Sequence, residues 1–504
     1  MAINDMKKIL TINDVSQYKS GSFILNNKKQ KNPYKNNENL LVTINDNLSI
    51  KDEVLNTIKS AENQIKICSF ILDDDDVINS IEDVLKNRGV SVFILTCVMD
   101  NQIVTDFLSE DEMSYESANK HLEAIGRLLV LGAHIRASDA CHAKFILQDS
   151  KKAIIMSANL TKRSLNENAE SGVIVDDDKI VAQLEHVYET IYLYGTEYSF
   201  SIPDNELFVQ KTDTAIMDDY FPDVTKTNLK WTYDDEQNWL YKELIDIVQN
   251  AMKILFISTY SIIGLNNLKE FMKALKIFTN NGGELNFFCR AQNQRLEQLL
   301  CCKEINELGG KIYGDINNHS KGIVNDLNYG MIFTANIDGK NGLKNGFEVG
   351  LKFSEQQESY SRALLSLIKW QIDTSPYIYE STATYKQMKD YYNYHYSQVD
   401  DDYALDGSNF NYTKFANISL VANKSYKVNK EEIIIKDLLK EAPIYIRREK
   451  KDGDISEYLR ISDYECFVKK NERHYSIEKI IKWRHHPDKN ETFLFFDNLT
   501  LYEV

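Results

Sequence analysis

The sequence predicts an α/β protein built from two similar lobes, followed by a small α+β domain at the C-terminal end. From about residue 51 to residue 375, apolar runs of strand length alternate with amphipathic runs of helical length. This alternation favours a mostly parallel sheet in each lobe. A polar pattern in the first half of this region returns in the second half. A repeat this long indicates two duplicated lobes, because solenoids repeat over much shorter units.

The repeated pattern begins with histidine, any residue, lysine, four residues and aspartate. The first copy is His142, Lys144 and Asp149, and the second copy is His319, Lys321 and Asp326. The two copies are 177 residues apart (319 − 142), and the offset is the same for all three positions. The chain has nine histidines, so two of them in this context are improbable by chance.

Both copies continue in the same way. An apolar run is followed by a hydroxyl residue, an alanine and an asparagine, and a glutamate lies eleven or twelve residues further on. These residues are Ser157, Asn159 and Glu170 in the first copy, and Thr334, Asn336 and Glu348 in the second.

The paired pattern resembles the two HKD motifs of the phospholipase D superfamily. The resemblance covers about residues 51–375 and implies a phosphodiesterase with two related α/β lobes. Because each lobe would supply half of one site, the lobes should meet about a pseudo-twofold axis. Met156 and Phe333 stand where the family pattern often has glycine, a departure that concerns the local turn more than the chemistry.

The resemblance also implies a role for each repeated residue. One histidine forms a phosphohistidine intermediate, and the other protonates the leaving group and then activates water. We assign His142 as the nucleophile and His319 as the acid, and the symmetry of the repeat leaves their order open.

The remaining motif residues are expected to support the two imidazoles. Two lysines and two asparagines would hold the phosphoryl oxygens, because fixed donors stabilise the charge that develops there: Lys144, Lys321, Asn159 and Asn336. Glu170 and Glu348 would orient the imidazoles. Ser157 and Thr334 would add hydroxyl donors at the edge of the site, and Asp149 and Asp326 would be structural.

No metal or cofactor is expected, because phosphoryl transfer depends mainly on positioning and electrostatics. The acidic runs at residues 73–76 and 176–178 are more typical of helix starts or solvated loops than of a metal site.

Composition limits the class of protein. With 504 residues, 43% hydrophobic and 27% charged, the chain is typical of a soluble multidomain protein. A net charge of −16 argues against attraction to nucleic acid or anionic membranes over the whole surface, although a local cationic cleft remains compatible with it. The sequence shows no signal-peptide core and no apolar run of about 20 residues. Its seven cysteines lack ligand spacing, so we predict a cytoplasmic protein without a membrane span.

Five segments are predicted along the chain. They are an N-terminal extension (1–50), a first phospholipase D-like lobe (51–199), an interlobe connection (200–232), a second lobe (233–375) and a C-terminal accessory domain (376–504). The stretch 481–486 of this last domain mixes cationic and aromatic residues. It is either a solvated turn or a contact for nucleic acid.

Three functions are compatible with the motifs. The first is a metal-independent nuclease for DNA or RNA, as in bacterial restriction and phage-defence systems. The second is a cytoplasmic phospholipid hydrolase or transphosphatidylase, and the third is an assembly subunit of a defence complex. We favour the nuclease, because the absence of a signal peptide and a membrane segment weighs against secreted phospholipases and membrane-embedded lipid synthases. An ATPase or helicase is a possible partner protein, since the chain contains no phosphate-binding loop of the G-x4-GK[ST] type. The sequence does not indicate an oligomeric state.

Overall fold

The computed structural model describes residues 21–97, 115–202, 208–293, 296–383, 387 and 391, and a series of strands between residues 415 and 500. The chain divides into two compact units. The larger unit covers residues 26–378 and contains both motifs, and the described residues outside that range belong to the smaller unit.

The first lobe of the larger unit is built on one large sheet. Its strands are β1 (Leu41–Ile44), β2 (Asn47–Leu48), β3 (Gln64–Cys68), β4 (Ser91–Thr96), β5 (His134–Ala137), β6 (Phe145–Gln148), β7 (Lys152–Met156), β8 (Glu170–Val175), β9 (Tyr198–Ser201) and β10 (Phe208–Lys211). Its helices are α1 (Ser49–Ser60), α2 (Asp75–Asp83), α3 (Tyr115–Val130), α4 (Lys162–Asn166) and α5 (Asp178–Tyr194), and a π-helical turn covers Val84–Arg88. The helix predicted near residues 114–131 is thus confirmed, and β1 extends the sheet upstream of residue 51.

The second lobe repeats this arrangement. Its strands are β11 (Leu229–Thr232), β12 (Ile254–Ser258), β13 (Ile262–Ile263), β14 (Glu284–Arg290), β15 (Lys311–Asp315), β16 (Gly322–Asn325), β17 (Gly330–Phe333), β18 (Ile337–Asp338), β19 (Glu348–Lys352) and β20 (Tyr377–Glu380). Its helices are α6 (Trp239–Gln249), α7 (Lys269–Asn280), α8 (Leu296–Glu307) and α9 (Glu358–Thr374). Short 3₁₀ turns cover Asp218–Tyr220, Val224–Lys226, Leu265–Asn267 and Glu355–Gln357.

The two sheets have the same order of corresponding strands. In the first lobe the order is β10-β9-β5-β4-β3-β6-β7-β8-β1-β2. In the second lobe the strands of the larger unit follow the order β20-β15-β14-β12-β16-β17-β19-β11. Three central strands are parallel in each sheet, namely β3, β4 and β5 in the first and β12, β14 and β15 in the second.

The prediction of mostly parallel sheets is wrong, because both sheets are mixed. Strand β6 runs antiparallel to β3 and β7, and β16 runs antiparallel to β12 and β17. The connections explain this result. Three residues join β6 to β7, and a connection this short can only join antiparallel neighbours. The alternation of strands and helices correctly predicts parallel strands before each motif. The strands after each motif are joined by hairpins, which make neighbouring strands antiparallel.

Amphipathic helices cover the sheets. Helix α1 buries Ile50, Val54, Thr57 and Ile58 on one face, the spacing expected of a helix that packs against a core. The acidic runs are helix starts, as predicted. Asp74 accepts the amide of Val77 at the start of α2, and Asp177 accepts the amides of Lys179 and Ile180 at the start of α5.

One apolar core extends across both lobes. It contains buried side chains from the sheet and long helix of each lobe, including Leu147, Val173 and Tyr188 from the first and Val349 and Leu364 from the second. Strand β17 contacts β7 and β8 across the lobe boundary. Burial of each large apolar side chain contributes about 1.5–3 kcal/mol, so this core fixes the two sheets relative to each other.

Each motif aspartate fixes the start of a central strand. The Asp149 carboxylate accepts the backbone amides of Glu62, Asn63 and Gln64 at 2.7–2.9 Å, directly at the start of β3. Burial opposes ionisation of Asp149, but these three bonds outweigh it and lower the pKa of the carboxyl group.

The second motif repeats this arrangement. Asp326 accepts the amides of Met252, Lys253 and Ile254 at the start of β12. Its pKa is lowered in the same way, because the backbone bonds outweigh the effect of burial.

The described residues between 415 and 500 form strands. Six of these strands form one sheet, and they include the two predicted segments as Ile444–Glu449 and Glu491–Phe496. The cationic and aromatic stretch at residues 481–486 lies in the strand Ile480–His486, which pairs with Glu491–Phe496. The expectation of a turn at this stretch is therefore wrong. No helix in the described part of the chain is long and apolar enough to cross a membrane.

We predict that Asp149→Asn and Asp326→Asn each destabilise the protein, because hydrogen bonds to a charged group contribute about 1.5–3 kcal/mol. Asn tolerates the positive φ of 52° at Asp149. A loss of stability in Asp149→Asn would therefore come from the missing carboxylate charge and not from backbone strain. The lowered pKa means that this stability is present above the unfolded pKa of about 4 and is lost as the pH falls through the folded pKa. Urea unfolding at pH 7 and near pH 3 measures both effects, with the exposed Asp213→Asn as control. Equal stability of wild type and both variants at pH 7 would contradict the prediction.

Candidate active site

Both motif histidines lie just before a central antiparallel strand. His142 and Lys144 directly precede β6, and His319 and Lys321 directly precede β16. Each four-residue strand separates this end from the aspartate bound at the opposite end. A strand rises about 3.3 Å per residue, so β6 and β16 separate Asp149 and Asp326 from the imidazoles. The two aspartates instead bind backbone amides at the other end of these strands.

Backbone hydrogen bonds join each histidine segment to the other lobe. The amide of His142 donates to the carbonyl of Phe347 at 3.1 Å, and the amide of Phe347 donates to Ala140 at 2.7 Å. In the second lobe, the amide of His319 donates to the carbonyl of Ala169 at 2.9 Å. Phe347 and Ala169 directly precede the two glutamates, so this bonding places each glutamate beside the histidine of the other lobe.

The histidine–glutamate pairs are therefore crossed between the lobes. Nδ1 of His142 lies 2.5 Å from Oε1 of Glu348. Nδ1 of His319 lies 2.7 Å from Oε1 and 2.9 Å from Oε2 of Glu170. A carboxylate at Nδ1 orients the ring and fixes which nitrogen carries the proton. Each half of the site thus depends on a carboxylate that the other half supplies.

A hydroxyl group from its own lobe holds each glutamate. Ser157 donates to Oε2 of Glu170 at 2.5 Å, and Thr334 donates to Oε2 of Glu348 at 2.5 Å. These hydroxyls were expected at the edge of the site, whereas the structure places them behind the glutamates. A chain of two hydrogen bonds therefore runs from each hydroxyl residue through a glutamate to the opposite histidine.

Both glutamates are fully buried, and each has a lowered pKa. Burial alone would raise the pKa of Glu170, but His319, Lys321 and the Ser157 hydroxyl outweigh it, and the pKa lies below its usual value. The pKa of Glu348 is lowered in the same way by its histidine, lysine and threonine neighbours, against the effect of burial.

The two lysines are buried beside the histidines. Lys321 Nζ lies 3.3 Å from both ring nitrogens of His319 and donates to its carbonyl oxygen at 3.0 Å. Lys144 Nζ donates to the carbonyl oxygen of His142. Both side chains are fully buried, so their charge acts within the site and is weakly screened by solvent.

Both motif asparagines are buried at corresponding positions, directly after β7 and β17. Oδ1 of Asn159 and Oδ1 of Asn336 have no hydrogen-bond partner among the described residues. A buried polar atom without a partner costs about 1–3 kcal/mol.

An open cleft lies beside His142. Its volume is about 30 Å³. Its lining combines apolar and polar groups and includes the catalytic candidates His142, Asn336 and Glu348. The other polar side chains that line it are Asp139, Asp338, Asn341 and Asn345.

An aromatic ring packs edge-on against each imidazole. Phe70 lies 5.4 Å from His142, and Tyr260 lies 5.0 Å from His319, measured between ring centroids. Sequence analysis missed both rings. They are 190 residues apart (260 − 70), whereas the motifs are 177 apart, so the motif offset does not align them. The signal that finds them is their place two residues after the corresponding strands β3 and β12.

The match to a family model agrees with this geometry. Residues 54–192, which include the first motif, match the model described as "Cardiolipin synthase, PLD-like domain". This segment of 139 residues (192 − 54 + 1) is similar to the phospholipase D-like domain that the model describes. A search of curated proteins finds no match.

The chain is also similar to solved structures. A phosphatidylserine synthase of Haemophilus influenzae Rd KW20 aligns over 78% of this chain and 98% of its own, with 12% identity and a TM-score of 0.46. Nuc, a phospholipase D family member of Salmonella typhimurium, aligns over 34% and 98%, with 18% identity and a TM-score of 0.26. A polyphosphate kinase of Porphyromonas gingivalis aligns over 66% of this chain and about half (49%) of its own length, with 12% identity and a TM-score of 0.42.

The crossed pairing predicts which histidine responds to each glutamate. In Glu348→Gln, the ¹⁵N resonances of the His142 ring should move because its Nδ1 partner loses its charge, while those of His319 should stay. Glu170→Gln should give the converse. Histidine-selective ¹⁵N NMR measures both. A response of the histidine in the same lobe as the substituted glutamate would contradict the crossed arrangement.

Proposed function

We propose that this chain is a metal-independent nuclease that cleaves DNA or RNA through a phosphohistidine intermediate. The observation that carries this proposal is the pair of crossed histidine–glutamate contacts, which link the histidine segment of each lobe to the other lobe. Two positioned histidines supply what a two-step phosphodiester cleavage requires, namely a nucleophile and an acid that later acts as a base.

The pairing at Nδ1 assigns the chemistry to Nε2. In the first step, Nε2 of one histidine attacks phosphorus, the P–N bond forms and the bond to the leaving oxygen breaks. The other histidine gives its proton to that oxygen. In the second step this histidine takes a proton from water, the water oxygen attacks phosphorus, and the P–N bond breaks.

The four donors of the motifs fit the phosphoryl oxygens. Lys144 and Lys321 would carry the charge, and the Asn159 and Asn336 amides would supply further hydrogen bonds. Fixed donors that meet developing charge contribute about 3–4 kcal/mol each in comparable sites.

Polar side chains form part of the cleft lining. Amide and carboxylate groups of Asp139, Asp338, Asn341 and Asn345 line the cleft. These groups can hydrogen-bond the sugar hydroxyls and base edges of a nucleotide, so this part of the lining is compatible with nucleic acid.

We infer that the two lobes (51–199 and 233–375) are duplicated and related by a pseudo-twofold axis. The shared strand order and the matching crossed contacts support this inference. Residues 376–504 are then an accessory domain that selects the target or recruits a partner. A bacterial restriction or phage-defence system with a separate ATPase or helicase fits a chain without a phosphate-binding loop of its own.

We predict that the wild-type protein cleaves labelled single- or double-stranded DNA or RNA in excess EDTA. His142→Ala and His319→Ala should each lower the rate by at least about 10³-fold, because loss of either residue of such a pair removes most of the catalysis. His186, which is exposed on α5, provides the matched control His186→Ala with activity near that of the wild type.

The substrate panel decides between the alternatives. Cleavage in EDTA that disappears in both variants supports the proposal. Hydrolysis of phospholipid vesicles without cleavage of any nucleic acid would replace the nuclease with a lipid enzyme, and activity that requires added metal would overturn the mechanism.

A further inference from the structure

The two halves of the site differ behind their aromatic rings. The amide of Cys97 donates to the carbonyl of Phe70 at 3.4 Å, and the amide of Arg290 donates to the carbonyl of Tyr260 at 3.0 Å. These bonds place Cys97 and Arg290 at corresponding positions beside the two rings. The first lobe therefore has a neutral phenylalanine and cysteine where the second lobe has a tyrosine and an arginine.

Arg290 fixes Tyr260 against His319. Its Nη1 donates to the Tyr260 hydroxyl at 3.1 Å, and the guanidinium carbon lies 5.2 Å from the centre of the ring. Arg290 is 7% exposed, so this contact is formed inside the protein. The ring packs edge-on against the His319 imidazole, and the hydroxyl bond restricts its rotation.

The His319 side has one cationic side chain more than the His142 side. Lys321 Nζ, the counterpart of Lys144, lies 3.3 Å from both ring nitrogens of His319 and 5.7 Å from the centre of the Tyr260 ring. Arg290 adds a second cation behind Tyr260, where it also interacts with the buried Asp315. A phosphoryl group bonded to His319 would bring its anionic oxygens next to this charge, which stabilises such an intermediate.

Solvent reaches the two histidines to different extents. The His142 side chain is 20% exposed and lines the cleft, whereas the His319 side chain is 3% exposed. In an in-line displacement, the leaving group departs opposite the nucleophile, and water later enters from that same side. The acid that becomes the base must therefore face the open cleft, and His142 does so.

We propose that His319 is the nucleophile, that His142 is the acid and then the base, and that Tyr260 and Arg290 are positioning residues for His319. The proposal rests on the proposed phosphodiesterase function and reverses the order expected from the sequence. The His319–phosphorus bond forms as the bond to the leaving oxygen breaks, and that oxygen receives its proton from His142. Water, deprotonated by His142, then breaks the phosphorus–nitrogen bond and regenerates neutral His319.

Bis(p-nitrophenyl) phosphate tests the order of the histidines, because p-nitrophenolate leaves without a proton. In His142→Ala, we expect a burst of about one equivalent of p-nitrophenolate per site and a phosphoryl adduct on the peptide that contains His319, detected by mass spectrometry. His319→Ala should show neither. Circular dichroism of both variants, and the second variant His319→Gln, check that a lost burst does not reflect unfolding.

The other outcomes are distinguishable. An adduct on His142 in His319→Ala would overturn the order of the histidines but leave the phosphodiesterase intact. Turnover by the wild type with no adduct in either variant would overturn the covalent step. A wild type that cleaves neither this diester nor nucleic acid would reject the proposed function, and with it the roles of both histidines.

Tyr260→Phe tests positioning, because it keeps the ring and removes the bond to Arg290. We expect the burst rate in the His142→Ala background to fall about tenfold, with KM for the diester changed less than about twofold. Arg290→Gln should have the same effect, and Arg290→Lys should restore part of the rate.

The matched substitution in the first lobe is Phe70→Leu. In the otherwise wild-type chain, it should slow hydrolysis of the intermediate more than its formation, because Phe70 contacts the histidine that activates water. If Tyr260→Phe leaves the burst rate unchanged, the Tyr260–Arg290 contact is merely structural. The same conclusion follows if Phe70→Leu lowers the burst rate as much as Tyr260→Phe does.

Discussion

The crossed histidine–glutamate contacts are the interaction on which the rest of the site depends. Glu170 and Glu348 are fully buried carboxylates, and a buried charge is stable only when it is paired and hydrogen-bonded. Each glutamate finds its partner in the other lobe, so neither half is electrostatically complete alone. The apolar core shared by the two sheets thus holds both histidine–glutamate pairs in position.

Each motif contains residues that hold the strands in place as well as residues with chemical potential. Its aspartate binds three backbone amides at the start of a central strand, and its histidine and lysine lie at the far end of the next strand. A shift of one residue in that strand would turn His142 or His319 to the opposite face of the sheet. The aspartate therefore fixes the register of the strand that carries the histidine, which explains how a residue without contact to the imidazole belongs to the same short motif.

Much of the site could be predicted from the sequence, because a repeat at constant offset identifies residues with equivalent environments. The offset of 177 brings together the histidines, lysines, aspartates and asparagines, but it cannot reveal that Glu348 serves His142 and Glu170 serves His319. That pairing depends on how the lobes pack, which is a tertiary property. The mixed sheets were missed for a related reason, since short hairpins, not the alternation of helices, direct the strands after each motif. Phe70 and Tyr260 were missed because loops of different length change their offset to 190.

A site assembled from two lobes of one chain can differ between its halves. In a symmetric dimer both halves carry the same residues, so the two histidines would start as chemical equals and differ only once a substrate is bound. Here Phe70 and Cys97 stand opposite Tyr260 and Arg290, and His142 faces the cleft while His319 is buried. In the proposed duplication, each lobe keeps the crossed carboxylate that both steps need, while the residues behind the rings have diverged. In this proposal the residues around each histidine determine which one is the nucleophile and which one is the acid before any substrate binds.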